Sequence, residues 1–218
     1  MIKKLFIFGA GSAGKDILQI IFQVNQVKLT WEVVGFVDSD PKLAKKEILG
    51  IPIFKYDDLA ISNNYYGICG VMDCELKKRI VNNEIRKKKY KLATIIHPDV
   101  MQPSDLKIGP GSVLFSGVKI SYNVKIGKCV WIDVNSLLGH DLMVDNYTSI
   151  MPSVTISGNC KIGSESLIGA GAIIHQNISI GKKCLVGIGT TIVKNIHHNT
   201  SVIDFPRNII NKEFKKLE

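Results

Sequence analysis

From Ile108 to His197 the chain repeats a six-residue unit without a break, and few other patterns restrict a fold so tightly. Starting a unit at every sixth position gives Ile108, Leu114, Ile120, Ile126, Ile132, Leu138, Val144, Ile150, Ile156, Ile162, Ile168, Ile174, Ile180, Val186 and Ile192; all fifteen are branched aliphatics. The fifth place is small or β-branched, as at Ser112, Val118, Ser136, Thr148, Ser166, Ala172 and Thr190. Glycine recurs at the second place, in Gly109, Gly127, Gly139, Gly163, Gly169, Gly181 and Gly187. A fixed short period of this kind marks a parallel β-helix, in which each repeat buries its apolar side only by stacking on its neighbours. Three units close one triangular coil, so this stretch makes about five coils, a prism roughly 24 Å tall at the usual strand spacing.

The chain has 218 residues, room for one large or two modest domains, and its 45% hydrophobic and 22% charged residues describe a globular protein. No apolar run approaches the ~18–20 residues of a membrane span. The opening Met1-Ile2-Lys3-Lys4-Leu5-Phe6-Ile7-Phe8 has the look of a signal peptide but runs at once into Gly9-Ala10-Gly11 and a helical pattern, so it reads as a first strand. Five scattered cysteines without a CxxC (Cys69, Cys74, Cys129, Cys160, Cys184) point to a reduced, cytoplasmic setting and to no metal site. The formal charge of +9 invites a nucleic-acid partner. However, its densest run, from Lys77 to Lys89, lies on an amphipathic helical stretch and reads as a solvated face. A basic balance equally suits small anionic ligands.

Before the hexads, strand and helix alternate: Leu5–Gly9, Trp31–Asp38, Tyr66–Met72 and Leu92–His97 read as strands, Ala13–Val24 and Glu75–Tyr90 as helices. That succession predicts a small parallel sheet covered by helices. The expected division is an α/β, Rossmann-like domain over residues 1–95, a β-helix over 96–203, and a carboxy-terminal tail over 204–218.

Gly9-Ala10-Gly11-Ser12-Ala13-Gly14 follows a strand and opens a helix, the context in which a GxGxxG loop turns tightly and offers backbone N–H groups to a pyrophosphate. Asp38 ends the second strand, where a carboxylate reaches a ribose or base. NAD is the default ligand of the motif alone. A dehydrogenase would need a catalytic domain after the sheet, and a prism of hexads stands there instead, so a nucleotide sugar is the preferred reading. The plainer alternative is a packing turn with no ligand.

Leu138-Gly139-His140-Asp141 puts a histidine at an outward third place beside a coil corner. Neutral imidazole suits a general base near pH 7, and the adjacent carboxylate can orient it. A lone surface histidine is the plainer reading, and it holds for His97, His175, His197 and His198. His140 is lifted by Gly158, eighteen residues on and hence one coil away, whose N–H could bind a developing oxyanion. Such a pairing suits acyl transfer.

With the Gly9–Lys15 loop, Phe36-Val37-Asp38-Ser39-Asp40, Ile96-His97-Pro98, Gly139-His140-Asp141, Ser157-Gly158-Asn159 and Ile168-Gly169-Ala170-Gly171-Ala172, nearly the whole chain resembles a known family. It is similar to the left-handed β-helix acyltransferases of nucleotide-linked amino sugars, related to the bacterial sialic acid O-acetyltransferases. The resemblance implies a left-handed coil, a homotrimer, and acetyl-CoA held between adjacent prisms by Ser149, Gly158, Ala170 and Ile188. It implies an acetyl-CoA-dependent N-acetyltransferase of bacterial surface-glycan synthesis, in which His140, oriented by Asp141, takes a proton from the sugar amine. The nucleotide would be held by Gly11, Ser12 and Ala13 with Asp38, Ser39 and Gly70.

Four places depart from the family pattern. Ala13 stands where the family often has His, Asp133 where relatives often carry Asn beside the acceptor, and Ser149 where some members have His. The ending Asp204-Phe205-Pro206-Arg207-Asn208 replaces Gly-Asn-Pro-Ala-Lys near the adenine end of the coenzyme. Two rival readings are O-acetylation of a sialic acid-type sugar and a non-catalytic trimeric nucleotide-binding module.

Overall fold

The computed structural model describes residues 2–43 and 46–204. The tail beyond Asp204, with Arg207, lies outside them.

Strand β1 (Lys3–Phe8) alternates, sending Leu5 and Ile7 into one apolar cluster and Phe6 and Phe8 into another. Both faces are covered, as a parallel sheet requires. Helix α1 (Ser12–Val27) carries Ala13, Ile17, Leu18, Ile20 and Ile21 on its buried stripe, the spacing of an amphipathic helix. It gives way to β2 (Trp31–Val37) at a turn tied by Asn25, whose side chain accepts from the N–H groups of Thr30 and Trp31 and donates to the Trp31 carbonyl. There follow β3 (Glu47–Ile48), β4 (Ile51–Phe54), β5 (Tyr65–Cys69), α2 (Cys74–Ile80) and β6 (Lys91–Leu92). The sheet order is β3-β4-β2-β1-β5-β6, parallel except for the β3/β4 pair.

Three local expectations change. The β3/β4 hairpin lacks the length and alternation to stand out in the sequence. The long second helix is α-helical only to Ile80, then widens into a π-helical turn over Val81–Ile85. The single strand expected over Leu92–His97 splits: β6 closes the small sheet, while Ile95–Ile96 pairs with Val113–Leu114 and begins the prism before the first full hexad.

The hexads stack at an offset of eighteen residues, so that Ile120 pairs with Leu138 and Leu138 with Ile156. The stack has three faces. First and fifth places point inward and form one apolar column from Leu114 to Ile192. Four of the hydroxyls in that column are satisfied in a regular way, each donating to the carbonyl fifteen residues ahead: Ser112 to Gly127 (2.9 Å), Ser136 to Met151 (3.1 Å), Thr148 to Gly163 (3.1 Å) and Ser166 to Gly181 (2.9 Å). The hydroxyl of Thr190, near the end of the prism, is buried without a partner among the described residues. Corners turn at the fourth place, where Asn123, Asn135, Asp141, Asn159 and Asn177 hold positive φ. Asn and Asp tolerate that conformation best among residues with a side chain. Glycine at the second place answers a different demand. A Cβ on Gly163 would lie 2.5 Å from the Gly181 carbonyl group of the next coil.

What the sixth, outward place carries differs by face. On the docked face it is Val113, Trp131 and Ser149, all buried. The α/β domain packs here: Trp131, Val113 and Phe115 share a cluster with Leu5, Ile7 and Ile17, while Cys129 and Tyr147 join Phe8, Val81 and Ile85. A second face presents Lys107, Lys125 and Lys161 to solvent. The third presents Leu137 and Ile173, 43% and 47% exposed. A polar seam fixes the docking. Lys77 Nζ, almost fully buried, donates to the Ser149 hydroxyl (2.7 Å) and the Thr148 carbonyl (3.1 Å), and the Ser149 hydroxyl donates to the Met72 carbonyl. Burial pulls the Lys77 amine below its ordinary range. All five cysteines are free and buried, and among the described residues no helix is long and apolar enough to cross a membrane.

Candidate active site

The glycine loop sits at the carboxyl ends of β1, β2 and β5, where open α/β sheets bind ligands. Its glycines have different jobs. Gly9 has φ +111°, and a Cβ there would press on the Gly70 carbonyl. Gly14 and Gly70 are in mutual backbone contact, so these three set the strand–helix packing. Gly11 faces open space, and no side chain caps α1 behind it. Its exposed neighbour Ser12 and the first-turn N–H groups of α1 face outward beside it, the kind of surface a helix start offers to an anion. Ala13 turns its methyl into the core, so only its backbone faces the same way.

Asp38 anchors the loop, its carboxylate accepting from the N–H of Ala10 (2.8 Å) and of Asp40 (2.9 Å). Beside it lies a cavity of about 170 Å³ lined by Asp38, Ser39, Val71, Arg79 and Glu84. Burial raises the Glu84 carboxyl, Arg79 opposes the shift, and Asp38 adds to it. Arg79 and Glu84 were hidden in a lysine-rich stretch that the sequence marked only as a helix face.

On the prism, His140 and Asp141 stand at the corner between the Leu137/Ile173 face and the lysine face. His140 Nδ1 is 2.7 Å from Asp141 Oδ2, and Asp141 Oδ1 accepts from Asn123 Nδ2 at 2.6 Å. The Asn123 and His140 contacts hold the Asp141 carboxyl below its usual range. In the tautomer that points Nδ1–H at the carboxylate, a neutral imidazole presents Nε2 as an acceptor. The ring stacks on Tyr122 (centroids 5.3 Å apart, planes at 9°). On its other side lies Gly158, where any Cβ would overlap the imidazole. Tyr122 and Asn123 escaped the sequence reading, yet they lie eighteen residues before His140 and Asp141. The coil period that singled out Gly158 points to them as well.

Asp133 lies on a different corner, between the docked face and the Leu137/Ile173 face. It opens into a cleft of about 530 Å³ between that corner and α1, lined among others by Asp16, Gln23, Met72, His97 and Phe115. Ala170 and Ile188 continue the same corner down successive coils, Ile188 80% exposed. Ser149 does not face an open groove: it is fully buried, its hydroxyl spent on Met72 and Lys77 in the seam. The α/β domain covers the place the sequence had left open for a coenzyme contact. The loop, the cleft and the Ala170–Ile188 edge are thus neighbours, while His140 and Gly158 stand on another edge of the same prism.

Residues 4–91 match the family model of the PglD N-terminal domain. Across 183 residues, 78% of this chain and 77% of the relative, the chain is 28% identical to GDP-perosamine N-acetyltransferase of Escherichia coli O157:H7. The acetyltransferase domain of PglB from Neisseria gonorrhoeae FA1090, solved with acetyl coenzyme A, is similar at TM-score 0.82 and 25% identity, over 94% of this chain and 97% of that one. A point mutant of perosamine N-acetyltransferase from Caulobacter crescentus, solved with CoA and GDP-perosamine, has TM-score 0.81 at 21% identity, over 97% and 99% of the two chains. The chain thus shares with these acetyltransferases a fold in which an α/β domain is joined to a parallel β-helix of six-residue repeats. Its first part, residues 4–91, is a domain of the PglD N-terminal family, joined to the hexapeptide prism.

Proposed function

We propose that this chain transfers the acetyl group of acetyl-CoA to the amino group of a nucleotide-linked sugar, in the synthesis of bacterial surface glycans. The observation that carries the reading is the His140–Asp141 pair, with a free Nε2 held between Tyr122 and Gly158. The sugar amine attacks the thioester carbonyl and passes a proton to His140 Nε2. The tetrahedral oxyanion is met by the Gly158 N–H. As it collapses, the C–S bond breaks and the imidazolium returns the proton to the departing thiolate. Asp141 keeps the imidazole in the correct tautomer and stabilises its charged form.

The nucleotide belongs to the loop of Gly11, Ser12 and Ala13 with Asp38, Ser39 and the Arg79 cavity, and Gly70 sets the loop's shape. The pantetheine arm belongs to the Ala170–Ile188 edge. Because base and cleft lie on different edges of one prism, a working site needs a second copy whose His140 edge faces the first copy's cleft. The exposed Leu137 and Ile173 between those edges supply an apolar contact for that copy, and a homotrimer closes the arrangement. Reduced thiols and these substrates suit the cytoplasm.

The test is a panel of GDP-, UDP- and dTDP-linked amino sugars with acetyl-CoA, read by thiol release. Release that depends on one amino sugar, with the N-acetyl product found by mass spectrometry, is the expected result. Release from no amino sugar, with both substrates shown to bind, contradicts it.

A further inference from the structure

The cleft beside α1 carries a charge that the fold leaves unbalanced. Asp133 is only 9% exposed. Its carboxylate accepts from two neutral donors, the Trp131 indole Nε1–H (3.1 Å) and the Val134 N–H (2.7 Å). No ion pair involves it among the described residues. Asp16 of α1 faces the same cleft, and among the described residues no lysine or arginine lines it. The one ionisable nitrogen base present, His97, has both ring nitrogens engaged, by Asp99 and by Gln23. This is a negative cleft in a chain of net charge +9. A buried carboxylate without a counter-ion is costly, and a cation placed in the cleft would offset that cost. Burial and the nearby Asp133 charge also push the Asp16 carboxyl up, in keeping with two carboxylates sharing one cleft.

We propose that Asp133, assisted by Asp16, is the amine-reading element of the acceptor site. The pair takes the sugar in its ammonium form and selects aminated sugars over their hydroxylated counterparts. This rests on the acetyl-transfer reading above. One N–H of the bound ammonium stays hydrogen-bonded to Asp133. A second proton passes through the His140 of a neighbouring copy to solvent before attack, which frees both the lone pair and the base. The third leaves to His140 after attack and goes on to the departing thiolate. A hydroxyl in the same place leaves the Asp133 charge uncompensated, and a site built around a polar partner rejects the analogue lacking it far more strongly than an apolar pocket does. Selection between N- and O-acetylation is thereby placed in the cleft rather than at the base.

Two ligand pairs test this by calorimetry on the full chain: GDP-perosamine and a UDP-linked 4-amino-4,6-dideoxy sugar, each against its 4-hydroxyl counterpart. The wild type is expected to bind one amino sugar at least about tenfold more tightly than its hydroxyl partner. Asp133→Asn should remove most of that preference by weakening the amino sugar alone. Asp16→Asn, a change at an exposed helix position that cannot disturb the Trp131 and Val134 bonds, should reduce it in part. CoA affinity should be unchanged in both variants. A wild type without preference in either pair, or a preference that survives both substitutions in folded protein, overturns the proposal. Failure of the acetyl-transfer reading shows separately, as absence of thiol release in the panel with the binding preference intact.

Discussion

At the scale of single residues the account turns on His140 and the groups that hold it. His140→Ala should lower kcat by roughly 10²–10⁴, the usual worth of a positioned base. The melting temperature should barely move, because the ring stands outside the apolar column. Asp141→Asn should be milder, since it disturbs the tautomer without deleting the base. Gly158→Ala is a sharper test of position. Its methyl must displace the imidazole, so kcat should fall while both substrate affinities hold, and normal turnover in that variant would sever Gly158 from the mechanism. The pH profile follows from the same contacts. Asp141, held below its ordinary range by Asn123 and His140, keeps its charge and goes on orienting the ring until the pH falls beneath the usual carboxylate range. Any loss of activity with acid above that range should therefore vanish in His140→Ala.

At the scale of elements, the glycine loop separates packing from binding. Gly11→Leu occupies open space at the start of α1 and should raise KM for the nucleotide sugar, with coenzyme affinity near normal. Gly9→Leu acts instead on folding. A side chain at φ +111° is strained and also meets the Gly70 carbonyl, so stability should drop by about 1–3 kcal/mol or more, visible as a lower melting temperature. Equal effects of the two substitutions on KM, with equal stability, would contradict this division. The motif was legible in the sequence, but which glycine serves the ligand was not, because that depends on what β5 places opposite Gly9 and Gly14. The same limit hid the fate of Ser149. Its hexad place predicted an outward side chain, and only the docking of α2 through Lys77 turns that side chain into a buried one. The prism column, by contrast, was fully written in the repeat, since each inward place is fixed by period alone.

At the scale of the whole molecule, the sixth hexad places sort by face once every third one is taken. Val113, Trp131 and Ser149 meet the α/β domain, Lys107, Lys125 and Lys161 meet water together with Met143, and Leu137 and Ile173, exposed on the face that also carries Lys119, are the contact proposed for a second copy. Replacing both Leu137 and Ile173 by Glu should convert trimers to monomers of about 24.1 kDa in light scattering and abolish activity with the fold intact. Active monomers would be incompatible with a shared site. The most direct measurement is complementation. His140→Ala lacks the base and keeps its loop, whereas Gly11→Leu keeps the base with a blocked loop, so each variant alone should be nearly inactive at moderate sugar concentration. When the two are co-expressed at equal levels, about one interface in four pairs an intact base with an intact cleft, and activity should return to about a quarter of the wild-type value. If base and cleft act within one chain, no intact site exists in the mixture. Activity no higher than that of the separate variants, in mixed oligomers shown to have formed, would contradict the account.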